Sequence, residues 1–219
     1  MQVEDAILLY NNGLSNWATA IEGVWNDLVK GVVIHKIDLA TAAAVSTRVK
    51  PSAAAVGLPL TYVLGCLAIE STFDPNCQNG NLGPGESNTA NDPLGYDWGP
   101  CQFKLRYLVG YAPGVIDAPS ALAFALDIDK AIPYFCSLMA GKLLWAQNIA
   151  QANTSSVPDV RLTSAPLLLA TGAYNFGETG MLAYYEGGTF PSHCQQVLDL
   201  ERYFAAKLGV ASVFVDVPT

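Results

Sequence analysis

Glu70 is the first ionisable side chain after an uncharged run, Pro51–Ile69, and it closes an apolar stretch with helical character. Burial disfavours a charged carboxylate, and the negative C-terminal end of a helix repels one. Both effects favour a carboxyl that holds its proton, as a general acid working near neutrality must. Few other chemistries are written into the chain. His35 and His193 lie far apart, with no nucleophile motif beside either. Gly-x-Ser-x-Gly, Walker, Gly-x-Gly-x-x-Gly and His-Glu-x-x-His patterns do not occur. The five cysteines, Cys66, Cys77, Cys101, Cys136 and Cys194, are widely spaced and form no Cys-x-x-Cys, so neither a metal nor a cofactor is expected. Reduced, buried thiols are the expected state. A Cys77–Cys101 disulfide is the alternative, because both flank a loop-rich stretch.

The elements that must position Glu70 read as helix after helix. Ser15 can cap a helix over residues 15–30, with Trp17, Ile21, Val24 and Leu28 on one apolar face. An Ala-rich helix follows over 39–47, punctuated by Pro51 and Gly57. Pro59 suits the first turn of the helix that ends at Glu70. Residues 73–100 are rich in Asn, Gly, Pro and Asp and read as a long loop or short irregular hairpin, the kind of insertion that often carries function. Further helices are expected from Ser120 to Leu126, over 128–151 with Pro133 near its start, and from Pro166 to the glycines Gly177 and Gly180. A last helix is expected from a Ser192 cap to a Gly209 stop. Residues 153–158 read as a polar linker; strand-like runs are rare, and 210–217 is the best of them. The fold class is mainly α, with residues 1–50 as an N-terminal helical extension and 51–219 as one catalytic domain.

Three segments in order add to this reading. Glu70-Ser71-Thr72-Phe73 ends the apolar helix, Gly99-Pro100-Cys101-Gln102-Phe103 follows the loop, and Ala173-Tyr174-Asn175-Phe176-Gly177 comes much later. Together they resemble the signature of the lysozyme-like lytic transglycosylases and the related goose-type lysozymes. The expected helix at 128–151, the Tyr/Gly stretch 184–188 and Pro191 sit where that family has its long helix and its tail. The resemblance covers about residues 56 to 208. It implies a lysozyme-like domain in which Glu70 protonates the glycosidic oxygen between N-acetylmuramic acid and N-acetylglucosamine. Ser71 would orient Glu70 or bond near the reacting sugar, and Gln102 would line the cleft floor. Tyr174 would hydrogen-bond to Glu70, and Asn175 would hold the adjacent backbone or sugar.

Two mechanisms remain open at this point. With Glu70 alone, the muramic C6 hydroxyl closes a 1,6-anhydro ring, the transglycosylase outcome, which the Glu-Ser and Ala-Tyr-Asn segments favour. Hydrolysis with inversion needs a second carboxylate roughly 6.5–9.5 Å away. Asp97, close to Gly99, is the better placed for that role and Asp92 the next; Glu86 shares their loop. Tyr62, Tyr107, Tyr111, Tyr184 and Tyr185 are candidate sugar-stacking rings. A chitin-cleaving relative, or a non-catalytic glycan-binding module of a virion, are the competing functions.

Composition sets the outer bounds. The chain has 219 residues, 51% hydrophobic and 14% charged, which excludes intrinsic disorder and allows a sizeable core. With 11 Lys+Arg against 19 Asp+Glu, the net charge is -8, and a nucleic-acid partner is not expected. The expected partner is the peptidoglycan glycan strand, with other virion proteins as further candidates. The Pro51–Ile69 run is broken by two prolines, so stable membrane insertion is not expected. The first residues carry two acids and no cation, so no secretory signal is expected. A phage endolysin, a virion-associated lysin, or a secreted protein with its leader trimmed would suit this pattern.

Overall fold

The computed structural model describes residues 1–27, 31–80, 95–152, 166–186 and 191–214. It is a mainly helical protein with a small open antiparallel sheet. The chain divides into two compact units, Met1–Lys50 with Glu70–Tyr134, and Pro51–Ile69 with Phe135–Thr219.

The first unit opens with α1 (Val3–Asn12), whose first turn carries Glu4 and Asp5 at the positive end of the helix dipole. Val3, Ala6, Ile7 and Asn11 are its buried face. The sheet runs in the order β1 (Val24–Asp27), β2 (Val32–His35), β3 (Gln78–Asn79), β4 (Asp97–Trp98), β5 (Phe103–Lys104), each strand antiparallel to the next. Residues 1–50 thus supply two of its five strands rather than only helix. Where a helix over 15–30 was expected, there is a 3-10 turn, Ser15–Ala18, and then the hairpin β1–β2. Left-handed Glu22 (φ 52°) and Gly23 (φ 76°) stop any helix, and Val24, Trp25, Val32, Val33 and Ile34 favour extended backbone. Ile21, on the expected apolar face, is 79% exposed. Residues 28–30 lie outside the described ones.

Helix α2 (Leu39–Ala55) is longer than expected and continues through Pro51; the turn after it passes through left-handed Gly57 (φ 72°), and Leu58 N–H reaches back to Ala53 O at 3.0 Å. Helix α3 (Leu60–Ser71) begins just after Pro59, whose carbonyl accepts from Val63 N–H at 3.1 Å. Helix α4 (Ala118–Leu126) is capped by Asp117, not Ser120. Ser120 closes the capping box from the third helical position, its hydroxyl accepting from Asp117 N–H while its own N–H donates to the Asp117 carboxylate. Helix α5 (Ile128–Ala152) follows, with Pro133 inside it.

The second unit holds most of α3 and α5 together with α6 (Pro166–Glu186) and α7 (Ser192–Leu208). Gly65 lets α3 lie close on α7: a Cβ there would stand 3.1 Å from Glu201 N and Val197 O. Tyr62 is fully buried, and its hydroxyl meets Leu167 O and Thr171 Oγ1, each at 3.0 Å. Gly177 (φ 71°, ψ 165°) kinks α6, and the helix then resumes to Glu186. Ser192 is the first helical residue of α7 rather than its cap, which is Pro191; Gly209 closes the helix in the left-handed region as expected. Residues 210–214 form no strand. Ser212 Oγ and Val213 N–H instead donate to the wholly buried carboxylate of Glu201, which also accepts from Thr61 Oγ1 at 2.6 Å. The rest of the expected strand and the linker over 153–158 fall outside the described residues.

Candidate functional site

Glu70 stands half-buried in the last turn of α3. Just beyond it, Thr72 (φ 56°) and Phe73 (φ 69°) are both left-handed, a conformation uncommon for non-glycine residues. Such backbone persists only where its surroundings fix it. Here four anchors do so. Ser71, 1% exposed, donates its hydroxyl to Pro100 O at 2.8 Å. Asn11, wholly buried on α1, donates to Thr72 O at 3.1 Å and accepts from Ile37 N–H at 3.2 Å. Phe73 is buried and meets the Tyr10 ring edge to face, centroids 6.1 Å apart. Asp74, 1% exposed, accepts from His35 N–H (2.6 Å), from Asn76 N–H (2.8 Å) and, when Nδ1 carries the proton, from the His35 ring (2.9 Å). Asp74 therefore ties the turn after the catalytic candidate to β2.

The second motif is joined to the first through Cys77. Gly99 N–H donates to Cys77 O at 2.9 Å. Gln102, itself left-handed (φ 51°) and buried, donates its amide Nε2 to Gly99 O at 2.8 Å and to Cys77 O at 3.3 Å. Its Oε1 is buried with no hydrogen-bond partner among the described residues. Gly99 must be glycine for a reason of packing: a Cβ there would lie 1.9 Å from Ala125 O, at the end of α4. Asp97 lies on β4 directly across the ladder from Lys104, an opposite-charge pairing that favours the register. The Cys77 thiol reports the local electrostatics. Burial pushes it up first, and the negative charges of Asp74, Glu70 and Asp97 push it further. Glu70 and Asp97 thus act on one buried group.

Ser71, Asp97, Gln102 and Glu70 all belong to the first unit, whereas Tyr174 and Asn175 belong to the second. Tyr174 is half-buried and packs edge to face on Phe135, centroids 5.1 Å apart. Asn175 is exposed, and its Nδ2 stands 2.5 Å from His193 Nε2. Asp92, Glu86 and Gly188 lie outside the described residues. Sequence reasoning missed Asn11 and His35. Asn11 gave no signal, being one polar residue on an amphipathic helix; the Asp74-Pro75 pair after Glu70 marked a turn but not its partner on β2.

All five cysteines are buried free thiols, so Cys77 and Cys101 form no disulfide. Burial pushes Cys136 and Cys194 up to about 12, which keeps them in the unreactive thiol form. Among the described residues no group of three or more His, Cys, Asp or Glu could hold a metal ion, and no helix is long and apolar enough to cross a membrane. Comparison with protein-family models, with curated proteins and with solved structures finds no match.

Proposed function

We propose that this chain is a lysozyme-like enzyme that cleaves the β-1,4 bond between N-acetylmuramic acid and N-acetylglucosamine, with Glu70 as general acid and then base. The observation that carries the reading is the rigid frame behind Glu70: a helix end followed by two left-handed non-glycine residues, fixed by Asn11, Ser71 and Asp74. A lone carboxyl does acid catalysis only if it is held against the scissile oxygen, and rigid elements do that better than loops. Glu70 gives its proton to the leaving oxygen as the C1–O bond breaks. The muramic C6 hydroxyl then bonds to C1 and returns its proton to Glu70, leaving a 1,6-anhydro end with no water consumed.

A second reading, hydrolysis, takes Asp97 as the second carboxylate: it lies on β4, two residues before Gly99, whose N–H is tied to Cys77 O beyond the turn that follows Glu70. In that case Asp97 takes a proton from water as the water attacks C1. Purified peptidoglycan, digested and weighed as muropeptides, separates the two: anhydro ends are lighter than hydrated ends by one water. Glu70→Gln is expected to slow cleavage at least about a hundredfold, within the range of a lost general acid. Asp97→Asn matches that loss only in the hydrolytic case. Unchanged glycan strands with measurable binding would identify a non-catalytic glycan-binding module, and cleavage of chitin oligomers alone a chitinase. The setting we infer is an endolysin or a virion-associated lysin.

A further inference from the structure

We propose that Phe176 and Tyr184, on either side of the break in α6, form a stacking platform for an uncharged N-acetylated hexose of the glycan strand. This inference rests on the peptidoglycan reading above and concerns how the strand is held, not how it is cut. The two rings lie against each other, centroids 5.0 Å apart and tilted by 49°, and both are open to solvent, Phe176 at 41% and Tyr184 at 38%. In a straight helix, residues eight apart are separated by about 12 Å along the axis and about 80° around it. Gly177, at φ 71° and ψ 165°, breaks that geometry between them. Gly180 leaves room for Phe176 against the resumed helix, because a Cβ there would stand 3.2 Å from the Phe176 Cβ. Stability gives no reason for this arrangement. Two glycines weaken the helix, and the ring contact they allow stays in water instead of joining the core. The break is tied at the surface on both flanks, Asn175 Nδ2 standing 2.5 Å from His193 Nε2 on α7 and Lys142 Nζ on α5 donating to Glu178 Oε1 at 3.0 Å. Rings held in contact on a tied backbone are pre-organised, so little entropy is lost when a ligand settles on them.

Size selects the occupant. Two rings of this kind, exposed to this degree, offer at most about 200 Å². A stable protein partner, or a second copy of the chain, covers about 800 Å² on each side. The rim is also wrong for such a partner: Asn175, Gly177, Glu178 and Thr179 are all exposed and none is apolar. A pyranose matches the patch. Its flat C–H face stacks on an aromatic face, and tyrosine adds a hydroxyl for sugar oxygens. Charge then narrows the class. Residues 166–186 carry Glu178 and Glu186 and no Lys or Arg, and Lys142 is committed to Glu178. A muramyl peptide would bring carboxylates to a segment with two acids of its own, whereas N-acetylglucosamine brings no charge.

The test titrates the full chain carrying Glu70→Gln, so that the ligand is not consumed, with the N-acetylglucosamine tetramer, followed by calorimetry and by the ring-proton NMR signals. The Phe176 and Tyr184 signals are expected to shift as the sugar binds. Adding Phe176→Ala and Tyr184→Ala is expected to weaken binding about tenfold or more. Tyr184→Phe keeps the ring and is expected to retain most of the affinity. An unchanged melting temperature certifies the fold of the double variant, and the ring signals of the parent report on the platform without any variant. No binding of the tetramer by the parent overturns the proposal, as does binding that leaves both rings' signals unmoved, a double variant with the parent's affinity, a loss in Tyr184→Phe equal to that in Tyr184→Ala, or a ring-dependent dimer in sedimentation velocity without loss of sugar binding. The two readings fail separately. If the protein with Glu70 intact leaves peptidoglycan uncut while the rings still bind the tetramer, the platform stands and the catalytic reading falls. If cutting depends on Glu70 while the sugar leaves the rings untouched, the platform alone falls.

Discussion

Two helices carry the first and third motifs, and the backbone leaves helical geometry at both in opposite ways. At the end of α3 the left-handed residues are Thr72 and Phe73; in α6 the departure is Gly177. The first break is enclosed by Asn11, Ser71, Phe73 and Asp74, all buried. The second is solvated: residues 175–179 are exposed, and nothing lies within 4 Å of where a Gly177 Cβ would be. Glycine adopts its conformation at little cost, whereas a threonine or phenylalanine with positive φ stores of order 1–3 kcal/mol that its neighbours must supply. A strained turn maintained by buried polar anchors fixes the residue before it. The α6 kink redirects a helix without such anchors. Rigidity is therefore concentrated where Glu70 sits.

The largest expected effect comes from removing the most heavily used anchor. Asp74→Ala takes away a buried carboxylate that accepts three hydrogen bonds and leaves His35 N–H and Asn76 N–H without it. A loss of roughly 3 kcal/mol is expected by urea unfolding, in the range for breaking one side of a buried charged contact. Asp74→Asn retains an acceptor and is expected to recover part of this. Asn175→Ala, at the solvated break, is expected to stay within about 0.5 kcal/mol of the parent. Equal losses at Asp74 and Asn175 would erase the contrast between the two breaks.

Exchanging the residues at the breaks gives a smaller effect of known sign. Gly177→Ala keeps an open space around its Cβ but forces alanine into backbone that is nearly glycine-only, at roughly 1–3 kcal/mol. Thr72→Gly relieves strain while loosening the unfolded chain, so its net change is expected within about 1 kcal/mol. If the frame serves Glu70, Thr72→Gly lowers the cleavage rate more than it lowers the melting temperature. A rate that simply follows stability would show that the strain has no part in positioning.

Much of the helical frame was legible because its signals are local. Pro59, Gly57 and Gly209 mark starts and stops through backbone preference alone, and α3, α5 and the start of α6 follow from apolar runs of sufficient length. Residues 15–30 mark the limit of such signals. Trp17, Ile21, Val24 and Leu28 fit a helical period, but Val24 is decided by its partner across the ladder, His35, and by the left-handed pair before it. Register between distant strands such as Val33 and Gln78 has no local signature. The same holds for the site. Glu70, Ser71 and Asp97 are candidates from residue type and order alone, whereas Asn11 and His35 reach the turn after Glu70 only because the fold brings α1 and β2 there. Gln102 was expected on a cleft floor; its amide is spent on Gly99 and Cys77, a backbone tie that residue type does not reveal.

The two breaks also differ in the thiol nearest each in sequence, and this gives the smallest effect near neutral pH. Cys77 is pushed up by burial and by three carboxylates, whereas Cys194, whose thiol donates to Leu168 O, is pushed up to about 12 mainly by burial. Both values are raised above the ordinary 9.0, so the folded protein holds these protons longer than the unfolded chain does. Their contribution to stability is therefore complete below about pH 9 and is lost as the pH climbs toward the folded-state value. A native protein is expected to resist thiol reagents at pH 8, to react fully once unfolded, and to lose stability steeply in the alkaline range. Cys77→Ala removes a group that is costly to ionise beside Glu70 and Asp97, so the variant is expected to lose less stability above pH 9 than its parent. Cys194→Ala is expected to give the same relief up to about pH 12, because there the loss is set by ionisation of the thiol in the unfolded chain. Unfolding curves at successive pH values measure both, and a Cys77→Ala variant that loses as much stability above pH 9 as its parent would show that the folded protein does not hold the Cys77 proton.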